Sequence, residues 1–174
     1  MDEMKIVRNI LLIALALLAQ STLISRVAIM GVRPDLAMLV LIFLVYTSSP
    51  VESVLYGFFI GFIQDVYTPE FLGANAFTMA LMGFFLDMIK ERLSIDNFMG
   101  KALVTFGMCT VHDVIFLSFY TRFDFSMMIN LFVRLSLLGS LYTMVVLMVF
   151  VALVEWVLGG GSYFVVHRLF GNRR

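Results

Sequence analysis

Apolar runs fill most of this chain, and the polar residues that interrupt them mark out helices rather than strands. The first run covers about 6–24, and a connector with Arg26, Gly31, Arg33 and Pro34 follows it. Leu36 to Tyr46 is apolar but short, and Ser48, Ser49 and Pro50 separate it from a run that ends near Val66. Thr68, Pro69, Gly73 and Asn75 are turn residues, and a further apolar run extends from Ala76 to Ile89. The charged stretch from Lys90 to Lys101 precedes an apolar segment ending at Tyr120. A last block reaches Leu158, before three glycines and a short basic tail.

The block from Leu36 to Val66 decides the helix count. As one helix it would be about 46 Å long, against a bilayer core of about 30 Å. Pro50 would break its hydrogen-bond ladder, and Glu52 would sit at mid-membrane. Two short helices joined by a tight turn suit these residues better. The expectation is an all-α integral membrane protein, a bundle of six transmembrane helices. They form one domain over residues 1–174, with spans at about 6–24, 35–47, 51–67, 76–90, 102–120 and 133–158. Whether an interfacial helix precedes Arg134 in the last block is left open.

Charge placement supports six spans over five. Six put Lys5, Arg8, Lys90, Arg92, Lys101, Arg168, Arg173 and Arg174 on one side. Arg26, Arg33 and Arg122 fall on the other, with Arg134 near or within the last span. The basic excess on the first side makes it cytoplasmic, together with both termini. Lys5 and Arg8 ahead of an apolar run also resemble a signal peptide, but Gln20, Ser21 and Thr22 offer no small-x-small cleavage site, so an uncleaved first helix is expected.

Composition agrees. Of 174 residues 61% are hydrophobic and 14% charged, more apolar surface than so short a soluble domain could hide. Twelve basic residues balance twelve acidic ones, which gives no reason to expect a nucleic-acid partner. A single cysteine, Cys109, excludes an internal disulfide, and its apolar neighbours predict a buried, inert thiol.

A few polar residues fall within or near the apolar runs, where each needs a partner or a purpose. Asp87 and Glu155 read as residues at helix ends, Asp87 beside Lys90. Arg134 either snorkels outward or pairs with Asp124 or Asp113. His112 and Asp113 are a neighbouring titratable pair, but adjacent helical residues diverge by about 100°, so a packing contact is expected rather than a proton relay. Neither a metal-ligand spacing nor a nucleophile motif accompanies them, and no catalysis, metal or cofactor is expected.

Gly57, Gly61 and Asp65 recur at four-residue steps on one helix face, with Gln64 beside the carboxylate. Small residues at this spacing let a second backbone approach closely. Leu72-Gly73-x-Asn75 then forms a turn in which the Asn75 side chain is suited to cap the next helix. The same face serves either the protein's own helices or a partner. Loss of the Asp65 carboxylate is expected to be mild for insertion and to weaken assembly.

These motifs resemble the MreD family of rod shape-determining proteins. The shared elements are Gln20-Ser21-Thr22 closing the first helix, Arg33-Pro34-Asp35 opening the second, the Gly57/Gly61/Asp65 pattern, and Gly73 with Asn75. The resemblance is motif-based over about 1–95 and rests on hydropathy and length beyond. It implies a non-enzymatic scaffold in the bacterial inner membrane that binds the single-span protein MreC. Through MreC it would act with the cell-wall synthases RodA and penicillin-binding protein 2, and with MreB. It also implies a fold similar to the substrate-binding subunits of energy-coupling-factor transporters, hence an alternative role in binding a vitamin-like molecule. The Ala-x-x-x-Ala pattern of those subunits is missing, since Leu18 follows Ala14 and Gln20 follows Ala16. Arg33, Pro34, Asp35, Gly57, Gly61, Gln64, Asp65, Gly73 and Asn75 are the residues the resemblance singles out.

Overall fold

A computed structural model describes residues 3–22, 32–67, 71–90 and 98–157. Its helices are α1 (Glu3–Thr22), α2 (Leu36–Tyr46), α3 (Pro50–Tyr67), α4 (Ala74–Lys90), α5 (Phe98–Tyr120), α6 (Phe125–Leu131) and α7 (Leu137–Val157). A π-helical turn at Phe132–Ser136 joins α6 to α7 without a break, so the last three elements act as one long helix. The described residues are all-helical apart from turns and short connections. The helix in the last block begins at Phe125, earlier than the span expected from 133 onward.

The 36–66 block breaks at Thr47–Ser49. The Thr47 and Ser48 amides donate back to the Leu44 and Val45 carbonyls, which closes α2. α3 then opens on Pro50, whose missing N–H is harmless in a first turn. Ser49 and Glu52 form a reciprocal cap: the Ser49 amide donates to Glu52 Oε2 at 2.8 Å, and the Glu52 amide reaches Ser49 Oγ at 3.5 Å. Glu52 is thus explained by a helix start.

Contacts fix the topology. α4 runs antiparallel to α3, because Gly61 faces Asn75, Gly57 faces Met79, and Gly83 faces Ser53. Lys90, at the end of α4, reaches the carbonyls of Val45 and Ser48 at the end of α2. The end of α1 meets the start of α2 through Gln20 and Ala37. One end of the bundle therefore gathers Ser48, Ser53, Asp87 and Lys90; the other gathers Gln20, Asp35, Asp65 and the α5–α6 turn.

The core surrounds α2, whose Ala37, Met38, Leu41, Ile42, Leu44 and Val45 are buried together with Ile60, Met79, Met82 and Leu86. Polar side chains also lie inside: Asn9, Ser53, Thr78, Thr105, Ser140 and Thr143 are at most 1% exposed. Asn9 donates to the Tyr56 hydroxyl at 3.0 Å and ties α1 to α3. Large apolar side chains face outward on every long helix, among them Leu11, Phe58, Phe84, Leu103, Val111 and Val145. The segments Ala102–Tyr120 and Phe125–Val149 are long and apolar enough to cross a membrane; Val7–Thr22 and Leu36–Tyr46 are apolar but shorter. Arg26, Arg92, Arg168, Arg173 and Arg174, which carry part of the charge argument, lie outside the described residues, as do the side chains of Lys5, Lys101 and Glu155.

The α3–α4 seam is built on backbone contact. A Cβ at Gly57 would lie 2.2 Å from the Met79 carbonyl oxygen, and one at Gly61 would lie 2.3 Å from that of Asn75. Gly83 meets the Ser53 carbonyl in the same way from the opposite helix. Gly107, in the middle of α5, has open space at its Cβ position. Gly57→Leu is therefore expected to destabilise the purified protein by about 3 kcal/mol or more, because backbone has no room to yield. Gly107→Ala is expected to stabilise it by about 0.5–1 kcal/mol by removing helix-interior glycine entropy. Unfolding in mild detergent, followed by circular dichroism, checks both; equal effects would contradict the seam.

Candidate functional site

Asp65 ends the α3 face that begins with Ser53, Gly57 and Gly61, and it is fully buried. Its carboxylate accepts from the amides of Gly73 at 2.9 Å, Asn75 at 3.0 Å and Ala76 at 2.9 Å. These are orphan N–H groups at the start of α4, which carry the positive end of the helix dipole. Gly73 has φ +98°, a left-handed conformation that turns the chain tightly enough for three amides to converge on one carboxylate. The expected cap is thereby corrected: the Asp65 carboxylate caps α4, while Asn75 contributes its backbone amide. Proximity of Asp65 to the turn places the carboxylate within reach of bare amides, which its position on α3 alone does not reveal.

The other end of the same seam also carries a carboxylate. Asp87 accepts from the Ser53 hydroxyl at 3.3 Å and pairs with Lys90 one turn on. Lys90 continues to the Ser48 carbonyl at 2.8 Å and the Val45 carbonyl at 3.4 Å. Asp87 is thus more than the helix-end residue expected, since it also positions Lys90 on the carbonyls at the end of α2.

A second polar cluster surrounds the start of α2. Asp35 caps this helix, accepting from the Met38 amide at 3.0 Å, and Gln20 Oε1 accepts from the Ala37 amide at 2.8 Å. The Asp35 amide donates to Thr143 Oγ1 on α7 at 2.9 Å, and the Thr143 hydroxyl donates in turn to the Gly139 carbonyl. The Asp35 carboxyl also lies within electrostatic range of His112 and Asp113 on α5. Gln20 and Asp35, which belong to separate elements, therefore act together to satisfy the first turn of α2.

His112 and Asp113 contact one another, with His112 Nδ1 3.2 Å from Asp113 Oδ1. Side-chain rotation brings the two groups together although their Cβ atoms diverge by about 100°. The His112 ring stacks parallel to Phe116, and Phe116 leads through Tyr120 to Phe71 beside α4.

The remaining singled-out residues are spread over this end of the bundle. Arg33 is exposed and Pro34 buried, ahead of the Asp35 cap; Gln64 is half-buried on α3. Asp35 and Asp65 share an end of the bundle, each committed to a different helix start. Arg134 is exposed on the π-helical turn, and no ion pair among the described residues joins it to Asp124 or Asp113. Asp124 instead caps α6 through the Ser126 and Met127 amides. Sequence reasoning missed Thr143 and the reach of Lys90 to the carbonyls at the end of α2. Thr143 carries no local signal, whereas a lysine in the last turn of a helix is a recognised carbonyl partner. Among the described residues, the Asp35, Asp65 and Asp124 carboxylates accept from backbone amides, and that of Asp87 meets a hydroxyl and a cation.

A family model described as the rod shape-determining protein MreD matches residues 3–165. No curated protein and no solved structure matches the chain.

Removing Asp65 leaves three buried amides without an acceptor, at roughly 1–3 kcal/mol each. Asp65→Ala is therefore expected to lose at least about 3 kcal/mol of folded-state stability, a quantity separate from the mild effect expected on insertion. Asp65→Asn, with one acceptor oxygen, should fall between. Denaturant unfolding in detergent micelles gives the order, and an Asp65→Ala protein as stable as the parent would refute the cap.

Proposed function

The chain belongs to the MreD family, and on that footing we propose that it is a non-enzymatic membrane scaffold of the bacterial cell-wall elongation complex, acting in rod-shape determination. The family match carries this reading. The distribution of side chains supports its membrane part: apolar residues face outward on all long helices, while hydroxyls, amides and carboxylates are spent inside on backbone groups and one another. That arrangement suits lipid, where every backbone polar group must be satisfied within the protein. Six spans in one domain fit the helices, with the Lys90 end facing the cytoplasm and the Asp35–Asp65 end facing outward, following the bias of basic residues.

The proposed partner is a single-span protein of the MreC kind, through which the scaffold acts with RodA, penicillin-binding protein 2 and MreB. The α3–α4 glycines are occupied by backbone, so they support a partner only indirectly, by holding the hairpin together. A partner helix running beside this hairpin would meet the outer row of α3 that includes Leu55, Phe58 and Phe62.

Recovery of the native complex from membranes tests the reading. A coiled-coil single-span protein or a cell-wall synthase should copurify, and recovery of neither would refute it. Single-cysteine crosslinking along 57–65 in a Cys109→Ala background adds detail. Crosslinks are expected from positions 58 and 62 and not from 57 and 61; the opposite pattern would return the glycines to the partner interface.

A further inference from the structure

The turn between α5 and α6 carries side chains where its backbone favours none. At the end of α5 the Arg122 amide donates to the Phe119 carbonyl at 3.1 Å, and the Phe123 amide to that of Ser118 at 2.9 Å. This is a Schellman closure, in which the residue after the cap is left-handed and is most often glycine. Here Arg122 holds that place with φ 51°, and Phe123 follows with φ 64°. A side chain at positive φ crowds its own backbone, and two bulky ones in succession are outliers. The α3–α4 turn meets the same demand with Gly73, so this chain has glycine where curvature alone is required.

Contacts within the bundle do not account for the two side chains. Arg122 is exposed, and no ion pair among the described residues involves it. The neighbouring Asp124 carboxylate is engaged by the Ser126 and Met127 amides. Phe123 is 63% exposed and meets Phe119 edge-on, with Tyr120 and Phe125 exposed beside it. The following helix α6 buries none of its residues. A cation and a group of aromatic rings therefore face the surroundings of the protein. Those surroundings follow from the flanking segments: Ala102–Tyr120 and Phe125–Val149 are each long and apolar enough to cross a membrane, and the turn joins their ends. It lies where hydrocarbon gives way to water, the layer that holds anionic headgroup phosphates and that aromatic side chains favour.

We propose that the α5–α6 turn is a membrane-surface anchor, in which Arg122 binds the phosphate of a phospholipid headgroup and Phe123 inserts beside it with Tyr120 and Phe125. The strained backbone is retained because glycine at position 122, easier for the turn, would remove the cation. The anchor rests on the membrane reading given above and is independent of the proposed partner.

The sequence has a single tryptophan, Trp156, so a Trp156→Phe background allows one reporter at a time. In vesicles of brominated phosphatidylcholine, Phe123→Trp should be quenched by bromines placed near the headgroup. Val111→Trp, at the outward-facing middle of Ala102–Tyr120, should be quenched by bromines deep in the chains. Deep quenching of Val111→Trp without shallow quenching of Phe123→Trp would overturn the anchor alone, whereas no quenching at Val111→Trp would remove the membrane reading and the anchor with it. Arg122→Gly separates strain from lipid binding. In uncharged detergent micelles its melting midpoint should lie about 2–4 °C above the parent's, because the left-handed turn is relaxed. Added phosphatidylglycerol should raise the parent's midpoint more than the variant's and erase that lead. An equal rise in both proteins would overturn the role of Arg122, and a variant no more stable than the parent in micelles would overturn the argument from strain.

Discussion

The fold depends on a helix that is too short for its place. α2 has 11 residues, about 16 Å at the usual rise, and it is the most enclosed helix of the bundle. Ala37 near its start and Val45 near its end are buried, so the Ala37 amide and the Val45 carbonyl need partners within the protein. The neighbouring helices supply what is missing. Gln20 from α1 and Thr143 from α7 meet the segment that opens α2, with Asp35 as its own cap, and Lys90 from α4 meets the carbonyls that close it. Each bond is modest by itself, yet each links a different helix to the same central element. The polar contacts thereby specify which helices surround α2 and at what height.

The α3–α4 hairpin solves a different problem by related means. Apolar surfaces give little preference for one helix neighbour over another when lipid is equally apolar, so close packing and hydrogen bonds must select the pair. Gly57, Gly61 and Gly83 allow the two backbones to touch, and a carboxylate closes each end of the seam. Asp65 sets the register at one end and Asp87 at the other, and Asp87 also connects the hairpin to α2 through Lys90.

Much of this was legible in the sequence, and what was not has physical causes. The helices, the break before Pro50 and the glycine face follow from periodicity and turn residues. The roles of the polar residues were harder to read because they depend on groups distant along the chain. Asp65 looked like an isolated charge until the turn at Gly73 folded three amides onto it. Glu52 looked misplaced, although Ser49-x-x-Glu52 ahead of an apolar run is a capping pattern readable without coordinates. Thr143 differs in kind: its partner Asp35 lies 108 residues away, and no local pattern announces such a contact.

The Asp65 cap has a consequence for biosynthesis. The carboxylate is at the end of one helix, and all three of its partners belong to the turn and helix made immediately afterward. While the chain is being synthesised, α3 emerges with a charge that has nothing to bind until α4 has begun. The acceptor and its three donors are thus made in immediate succession, and the α3–α4 hairpin can close as a unit, with the carboxylate hydrogen-bonded by its own successor before either helix has to settle among the others.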